Sequence, residues 1–227
     1  KQELFGARDH FGIKPFYYAK MNGTFMYASE IKSLLRHPDF VKELNAEALK
    51  PYMTFQYPAI GETFFKGVYK LPEGHYFTYR DGKMDIHRYY DEDFREGKQK
   101  LGELVNSIDQ TVCDSVKAHQ IADVEVGSFL SSGVDSSYVA AVARPQHTYS
   151  IGFGKGTYNE SQQAGELAEL LKLNNTAESL TDEEAFAAFP RIQWHLDEPD
   201  SNPSCVPLYF LSALAAKIGR ASCRERV

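Results

Sequence analysis

Residues 124–137, VEVGSFLSSGVDSS, constrain this chain more than any other stretch. Their first half alternates and then turns apolar, as a strand running into a buried sheet does, and their second half is small and turn-forming. The apolar run from Tyr138 to Val142 follows. This order predicts strand, tight loop and helix. A loop that opens onto a helix N-terminus offers unpaired backbone N–H groups and the positive end of a helix dipole, which together hold an anion such as phosphate. Ser131, Ser132, Ser136 and Ser137 add hydroxyl donors, and Gly133 lets the main chain come close to the anion. The commonest phosphate loop, Gly-x-x-x-x-Gly-Lys-Ser/Thr, is absent, and with it the lysine that reaches the β and γ phosphates. Asp135 stands there instead, and its carboxylate repels phosphate unless a Mg²⁺ ion bridges them. Such a loop suits release of pyrophosphate as a magnesium complex better than γ-phosphoryl transfer. A Ser/Gly-rich turn between any strand and helix is the plainer alternative.

With 227 residues, 43% of them hydrophobic, the chain has room for one large domain or two small ones. A net charge of -6 without a basic block argues against non-specific nucleic-acid binding. No apolar run approaches the roughly 20 residues of a membrane span. Cys113, Cys205 and Cys223 are odd in number and widely spaced, which fits neither a disulfide framework nor a metal-ligand pattern and makes a reducing cytoplasm the simplest setting. The histidines form no His-x-x-x-His or Cys-His cluster, so no structural metal is expected. The first residues lack both an initiator Met and a signal-peptide core, and read as the inside of a domain.

Residues 1–95 are rich in aromatic and turn residues and read as α+β. Strands are expected at residues 16–19, 24–28, 63–65, 67–69 and 75–79, with hairpin turns at Asn22-Gly23 and Asp81-Gly82. A helix over residues 29–36 takes Ser29 as its N-cap and carries Ile31, Leu34 and Leu35 on one face; a second short helix over 45–50 stops before Pro51. Arg8-Asp9 reads as a buried structural ion pair. The polar stretch 91–100 reads as a linker. Beyond it Leu101, Leu104, Val105, Ile108, Val112 and Val116 define an amphipathic helix, with Cys113 on its inner face. Strands over 147–153 and 176–180 alternate with helices, the first capped by Asn159 and Gln162 and the second opened by a capping box at Thr181 and Glu184. This part is therefore α/β with a parallel sheet, whose ligand crevice lies at the strands' C-terminal ends. Neighbouring strand ends set Leu130 beside Ile151 and Gly152; from the residues alone Leu130 and Ile151 are core. Three carboxylates, Asp197, Glu198 and Asp200, crowd into the segment 196–204. Either a capping turn, with Ser204 opening a helix over 205–217 and Asp200 near its positive end, or a part in binding substrate or Mg²⁺ accounts for them.

The loop resembles the pyrophosphate loop of the ATP pyrophosphatase superfamily, Ser-Gly-Gly-x-Asp-Ser, with Ser132 at a glycine position of that pattern. The flanking sequence is most similar to glutamine-hydrolysing asparagine synthetases. Residues 7–18 (ARDHFGIKPFYY), 27–32 (YASEIK), 71–75 (LPEGH) and 88–91 (RYYD) resemble the closing part of the N-terminal-nucleophile glutaminase domain at the front of those enzymes. The resemblance runs from Phe5 to about Lys217. It implies the C-terminal part of a type 2 glutamine amidotransferase domain over 1–95, the N-terminal part of a synthetase domain over 100–217, and a non-family tail, read as an artefact, over 218–227.

The activity it implies is ATP-dependent amidation of L-aspartate through β-aspartyl-AMP, with ammonia from L-glutamine, giving L-asparagine, AMP, pyrophosphate and L-glutamate. It implies contacts to ATP or pyrophosphate at Leu130, Ser131, Ser132, Gly133, Asp135, Ser136, Ile151 and Gly152, with Mg²⁺ held at Asp135 through pyrophosphate. Asp197 and Glu198 are implied as substrate or Mg²⁺ contacts. The family's nucleophilic Cys has no counterpart in this sequence, so no catalytic nucleophile is assigned. The chain is accordingly expected to be cut short at both ends and inactive by itself. A cytoplasmic setting is implied, with no nucleic-acid or membrane partner and room for a homodimer. A β-lactam-forming synthetase shares the two-domain plan, and a non-catalytic nucleotide-binding remnant is the reading of another kind.

Overall fold

Asn-Gly and Asp-Gly turns shape the first half of the chain. In the computed structural model, which describes residues 2–153, 160–217 and 222–223, Asn22 and Gly23 take φ of 50° and 83°, and Asp81 and Gly82 take 50° and 77°. Paired left-handed residues give a two-residue turn the twist of its flanking strands. Around the first turn β2 (Tyr17–Met21) pairs antiparallel with β3 (Thr24–Ala28), and β2 also pairs with β4 (Val68–Lys70). Around the second, β5 (His75–Arg80) pairs with β6 (Lys83–Arg88), while β1 (Leu4–Ala7) takes the other side of β5. Tyr17, Ala19, Met26 and Val68 of the first sheet bury their side chains against Ile31 and Leu34 of α1 (Ile31–Leu34).

Two expectations for this region change. Residues 63–65 are not a strand; Phe65 makes only an isolated bridge with Leu44. The helix expected to stop at Pro51 instead runs on. Asn45 caps a 3-10 turn (Ala46–Ala48) that leads into α2 (Leu49–Phe55), and Pro51 falls in the first turn of α2, where its missing N–H is not needed.

The chain divides into two units, one made of residues 1–95 and 193–202, the other of 96–192 and 203–227. Residues 193–202, which the sequence places in the second domain, thus belong structurally to the first.

In the second unit β7 (Val126–Phe129), β8 (His147–Phe153) and β9 (Asn174–Leu180) run parallel, with β10 (Ser222–Cys223) parallel beside β7. The helices are α3 (Leu101–His119), α4 (Val134–Ala143), α5 (Glu160–Leu171), α6 (Asp182–Leu196, which runs on into the first unit) and α7 (Cys205–Lys217). Successive residues Phe129 and Leu130 point to opposite faces. Phe129 joins Tyr149, Ile151, Leu180 and Leu214 in one cluster, and Leu130 joins Ala140, Ala164 and Ala168 in another. The sheet is therefore covered on both faces, as the continuous apolar strands require. The Asn159 cap lies outside the described residues. Residues 222–223, read as part of a tail outside the fold, extend the sheet.

The helix α3 forms, but its apolar face is not core: Leu101, Leu104, Val105 and Ile108 are exposed, and Cys113 is only half-buried. Among the described residues no helix is long and apolar enough to cross a membrane.

Candidate functional site

The expected phosphate loop joins β7 to α4 at the C-terminal edge of the parallel sheet. Its root is clamped to the neighbouring strand: Leu130 N donates to Tyr149 O at 2.8 Å, and Ser150 Oγ donates to Leu130 O at 2.7 Å. Three hydroxyls then hold its shape. Ser131 Oγ and Ser136 Oγ are 2.7 Å apart, Gly133 N donates to Ser131 Oγ at 3.1 Å, and Ser137 Oγ donates to Gly133 O at 2.7 Å. Gly133 is the N-cap of α4 in an extended conformation; a Cβ there would come within 3.2 Å of Ser131 Oγ. Ser132 and Asp135 face solvent, and Asp135 sits in the first turn of α4, where the helix dipole favours a negative charge or a bound anion.

Leu130, Ser131, Ser132, Gly133, Asp135 and Ser136 are thus gathered in one loop. Ile151 and Gly152 lie on the adjacent strand, opposite Glu178 and Ser179 of β9. The Leu130 and Ile151 side chains are buried on opposite faces of the sheet, so as side chains both are core. Among the described residues no three His, Cys, Asp or Glu side chains gather to hold a metal ion. A cation at Asp135 would therefore complete its shell with phosphate and water oxygens, as Mg²⁺ commonly does.

The acidic segment is built differently. Asp197 takes a left-handed φ of 66°, which ends α6, and its carboxylate reaches α1 in the same unit. It accepts from Ile31 N at 2.8 Å and Lys32 N at 3.2 Å, and pairs with Lys32 Nζ at 2.8 Å. The cap of α1 therefore comes from Asp197; Ser29, the expected cap, is not the N-cap residue. Asp200 is held within its own segment. Its carboxylate closes its own turn by accepting from Asn202 N at 2.9 Å, while Gln193 bonds its backbone N and O, both at 3.1 Å.

Glu198 is only 8% exposed and pairs with Lys70, and its Oε1 has no hydrogen-bond partner. Lys70 and Tyr17 are cross-strand partners on β4 and β2, with the ammonium 5.7 Å from the Tyr17 ring centre. Burial, then the nearby charges of Glu198 and Asp197, push the Tyr17 phenol well above its ordinary range. Lys70 and Tyr17 carry no local sequence signal for this role, since Glu198 lies more than a hundred residues away; Lys32 pairs with Asp197 at the same long range and with Glu30 nearby at 3.4 Å.

Arg8 and Asp9 do not pair with each other. Arg8 donates to the carbonyls of Lys14, Leu71 and Gly12 at 3.0, 2.8 and 2.7 Å, and Gly12 lies so close, at φ +64°, that a Cβ would meet the guanidinium at 2.8 Å. Asp9 accepts from the amides of Phe11, Ile13 and Lys14. Slight burial disfavours its charge, but these three donors outweigh it and hold the carboxyl below the usual carboxylate range.

Comparison with known proteins matches residues 107–221 to the asparagine synthase family and residues 1–90 to the glutamine amidotransferase domain family. The chain is 38% identical to asparagine synthetase [glutamine-hydrolyzing] 1 of Bacillus subtilis over 94% of its own length and 34% of that protein's. It is 36% identical to a putative asparagine synthetase [glutamine-hydrolyzing] of Mycobacterium tuberculosis, over 95% of this chain and 35% of the relative. A more distant relative, amidase chry2 of Gibberella zeae, is 27% identical over 88% of this chain and 33% of its own. The chain thus spans about a third of the length of the curated relatives it matches. A serine-built loop at the edge of a parallel sheet, inside the matched region and preceded by an amidotransferase match, places the chain in the asparagine synthase family.

Proposed function

We propose that this chain takes part in the ATP-dependent conversion of L-aspartate to L-asparagine, with ammonia drawn from L-glutamine. The observation that carries this reading is the Leu130–Ser137 loop: hydroxyl-braced, free of lysine, at the start of a helix, with an exposed carboxylate in the first turn. Residues 1–95 would be the C-terminal part of an amidotransferase domain with an N-terminal nucleophile, acting in the cytoplasm.

A carboxylate is a poor acyl donor because its leaving group would be oxide. Attack of the aspartate side-chain carboxylate on the α-phosphorus of ATP gives β-aspartyl-AMP and pyrophosphate, and ammonia then displaces AMP. The loop's task is to hold the departing pyrophosphate. Its amides and the hydroxyls of Ser131, Ser132 and Ser136 donate to phosphate oxygens as their negative charge grows, an electrostatic contribution available without rearranging solvent. Asp135 is suited to hold the Mg²⁺ that travels with the nucleotide, and that ion supplies charge neutralisation at the phosphates. The adenosine part lies against the backbone of Leu130, Ile151 and Gly152. Of the acidic pair, Asp197 has both oxygens committed to α1 and Lys32, so we assign it to capping. Glu198, paired with Lys70, keeps the substrate-side role that the family resemblance implies.

The test is MgATP titration and aspartate-dependent pyrophosphate release, measured on the full-length gene product and its Asp135→Ala variant. Release should be abolished in the variant with the melting temperature unchanged. Retained release would remove Asp135 from the role, and failure of the unaltered protein to bind MgATP would sink the whole reading.

A further inference from the structure

The bonds inside the Leu130–Ser137 loop are local, but its root is held from across the sheet. Backbone pairing of β7 with β8 ends where Leu130 N donates to Tyr149 O at 2.8 Å. The next rung is made by a side chain: Ser150 Oγ donates to Leu130 O at 2.7 Å, so the chain leaves the sheet with that carbonyl still satisfied. A hydroxyl proton turns about its Cβ–O bond, so this rung is only as fixed as the group that orients the hydroxyl. Ser150 and Thr148 are fully buried and alternate with Tyr149 and Ile151, which puts both hydroxyls on the face where Leu130 packs against Ala140 of α4. On the far side of β8 from the loop, Asn175 of β9 stands opposite Thr148. Its side-chain amide lies 3.1 Å from Ser150 Oγ and 3.0 Å from Thr148 Oγ1, and Thr148 Oγ1 is 3.3 Å from Asn174 O. Each hydroxyl has one proton. With the amide oxygen turned to them, Ser150 cannot serve both Leu130 O and Asn175, and two oxygens face each other at 3.1 Å with no proton between. With the amide N–H groups turned to them the count closes: Asn175 donates to both hydroxyls, and their protons go to Leu130 O and Asn174 O. Both orientations fill the same space, and the second leaves no such clash. The bonds then run one way, from Asn175 on β9 through Ser150 on β8 to Leu130 at the loop's root, each polarising the next.

We infer that Asn175 is a positioning residue for the phosphate loop: acting through the Ser150 hydroxyl, it fixes the Leu130 carbonyl and with it the direction in which the loop's amides leave the sheet. This deepens the nucleotide reading of the loop and rests on it. Asn175 sits two strands away from the loop and has no part in holding ligand. Its removal frees the Ser150 proton to turn from Leu130 O, and the loop's donors then lose the preset geometry that makes them useful to a phosphate. The effect falls on the β and γ phosphates, which the loop holds, and spares the adenosine end, which lies against strand backbone.

The test uses the full-length gene product and its Asn175→Leu, Asn175→Asp and Ser150→Ala variants, with each Asn175 change also made in the Ser150→Ala background. Calorimetric titration gives the affinities for MgATP, magnesium pyrophosphate and AMP, and amide hydrogen exchange of residues 130–133 is followed without ligand. Asn175→Leu should weaken MgATP and magnesium pyrophosphate by about five- to tenfold, the worth of one net hydrogen bond, leave AMP within about twofold and speed exchange by a similar five- to tenfold factor. Asn175→Asp keeps the size but cannot donate at neutral pH, so it should lose as much, and it carries the test if Asn175→Leu does not fold. In the Ser150→Ala background neither substitution should add to the loss, because the relay is already cut. Unchanged pyrophosphate affinity in the Asn175 variants overturns the inference, as does an equal loss of AMP affinity. Losses that add to that of Ser150→Ala overturn it too, since charge repulsion or general loosening would persist there. If the unaltered protein binds neither MgATP nor pyrophosphate, it is the nucleotide reading that has failed; the relay is then judged by exchange alone, and rates in Asn175→Leu equal to those of the unaltered protein overturn it.

Discussion

The loop after β7 and the acidic segment after α6 both carry carboxylates and turn residues, but they are held in opposite ways. Within the loop, every hydrogen bond of Ser131, Ser136 and Ser137 spans five residues or fewer. The Asp197 carboxylate instead bonds amides 166 and 165 residues away. A locally satisfied loop keeps its shape as long as its own strand and helix exist. A segment tied down at long range is only as firm as the fold that brings its partners to it.

This difference can be broken first at Asp197. Asp197→Ala removes the cap of α1, leaves the mostly buried Lys32 to Glu30 at 3.4 Å and replaces a residue that tolerates left-handed φ, so it should cost about 2–3 kcal/mol in urea unfolding of the first unit. Asp197→Gly suits the backbone but supplies no cap; if it were as stable as the unaltered protein, the carboxylate would not be what holds the segment. Ser150→Ala is the next largest change. It leaves Leu130 O and the Asn175 side chain short of a buried partner, an expected loss of about 1–3 kcal/mol that should appear together with weaker MgATP binding.

Ser136→Ala probes the loop's own bracing. Because the loop retains its root on β8, a loss of about 1 kcal/mol or less is expected, with MgATP affinity falling more than stability does. The smallest effect concerns Asp9. Its folded carboxyl titrates below its ordinary value of 3.8, so the stability it contributes is present above that pH and fades as pH falls through the lowered value. Asp9→Asn should therefore lower the stability of the first unit slightly at neutral pH and flatten its decline below about pH 4, where variant and unaltered protein converge.

What was legible in the residues follows the same divide. The strand, loop and helix around Ser131, the turns at Asn22-Gly23 and Asp81-Gly82, and the alternation that builds the parallel sheet are each decided by neighbours in sequence. Ser29 was the natural cap for α1, but its place was taken by a carboxylate that no local pattern connects to it. Arg8 and Asp9 look like partners because they are adjacent, whereas each turns to backbone groups of the turn that follows. Pro51 lies in the first turn of α2 rather than beyond a helix end, because a proline ends a helix or begins one depending on where the first turn falls. The stripe on α3 is amphipathic, as its spacing predicts, yet periodicity says only which face is apolar and not what covers it.

The cap on α1 also sets a clock. A ribosome adds roughly 5–20 residues per second, so the amides of Ile31 and Lys32 wait about eight to thirty seconds for residue 197 to be made. During that interval the sheet of β2, β3 and β4 exists without the Asp197 carboxylate that later joins Glu30 at Lys32 and without the Glu198 carboxylate at Lys70. Nascent chains stalled before and after Asp197 leaves the ribosome should differ in protease resistance around α1, and equal resistance would mean that the newborn domain closes without its distant cap.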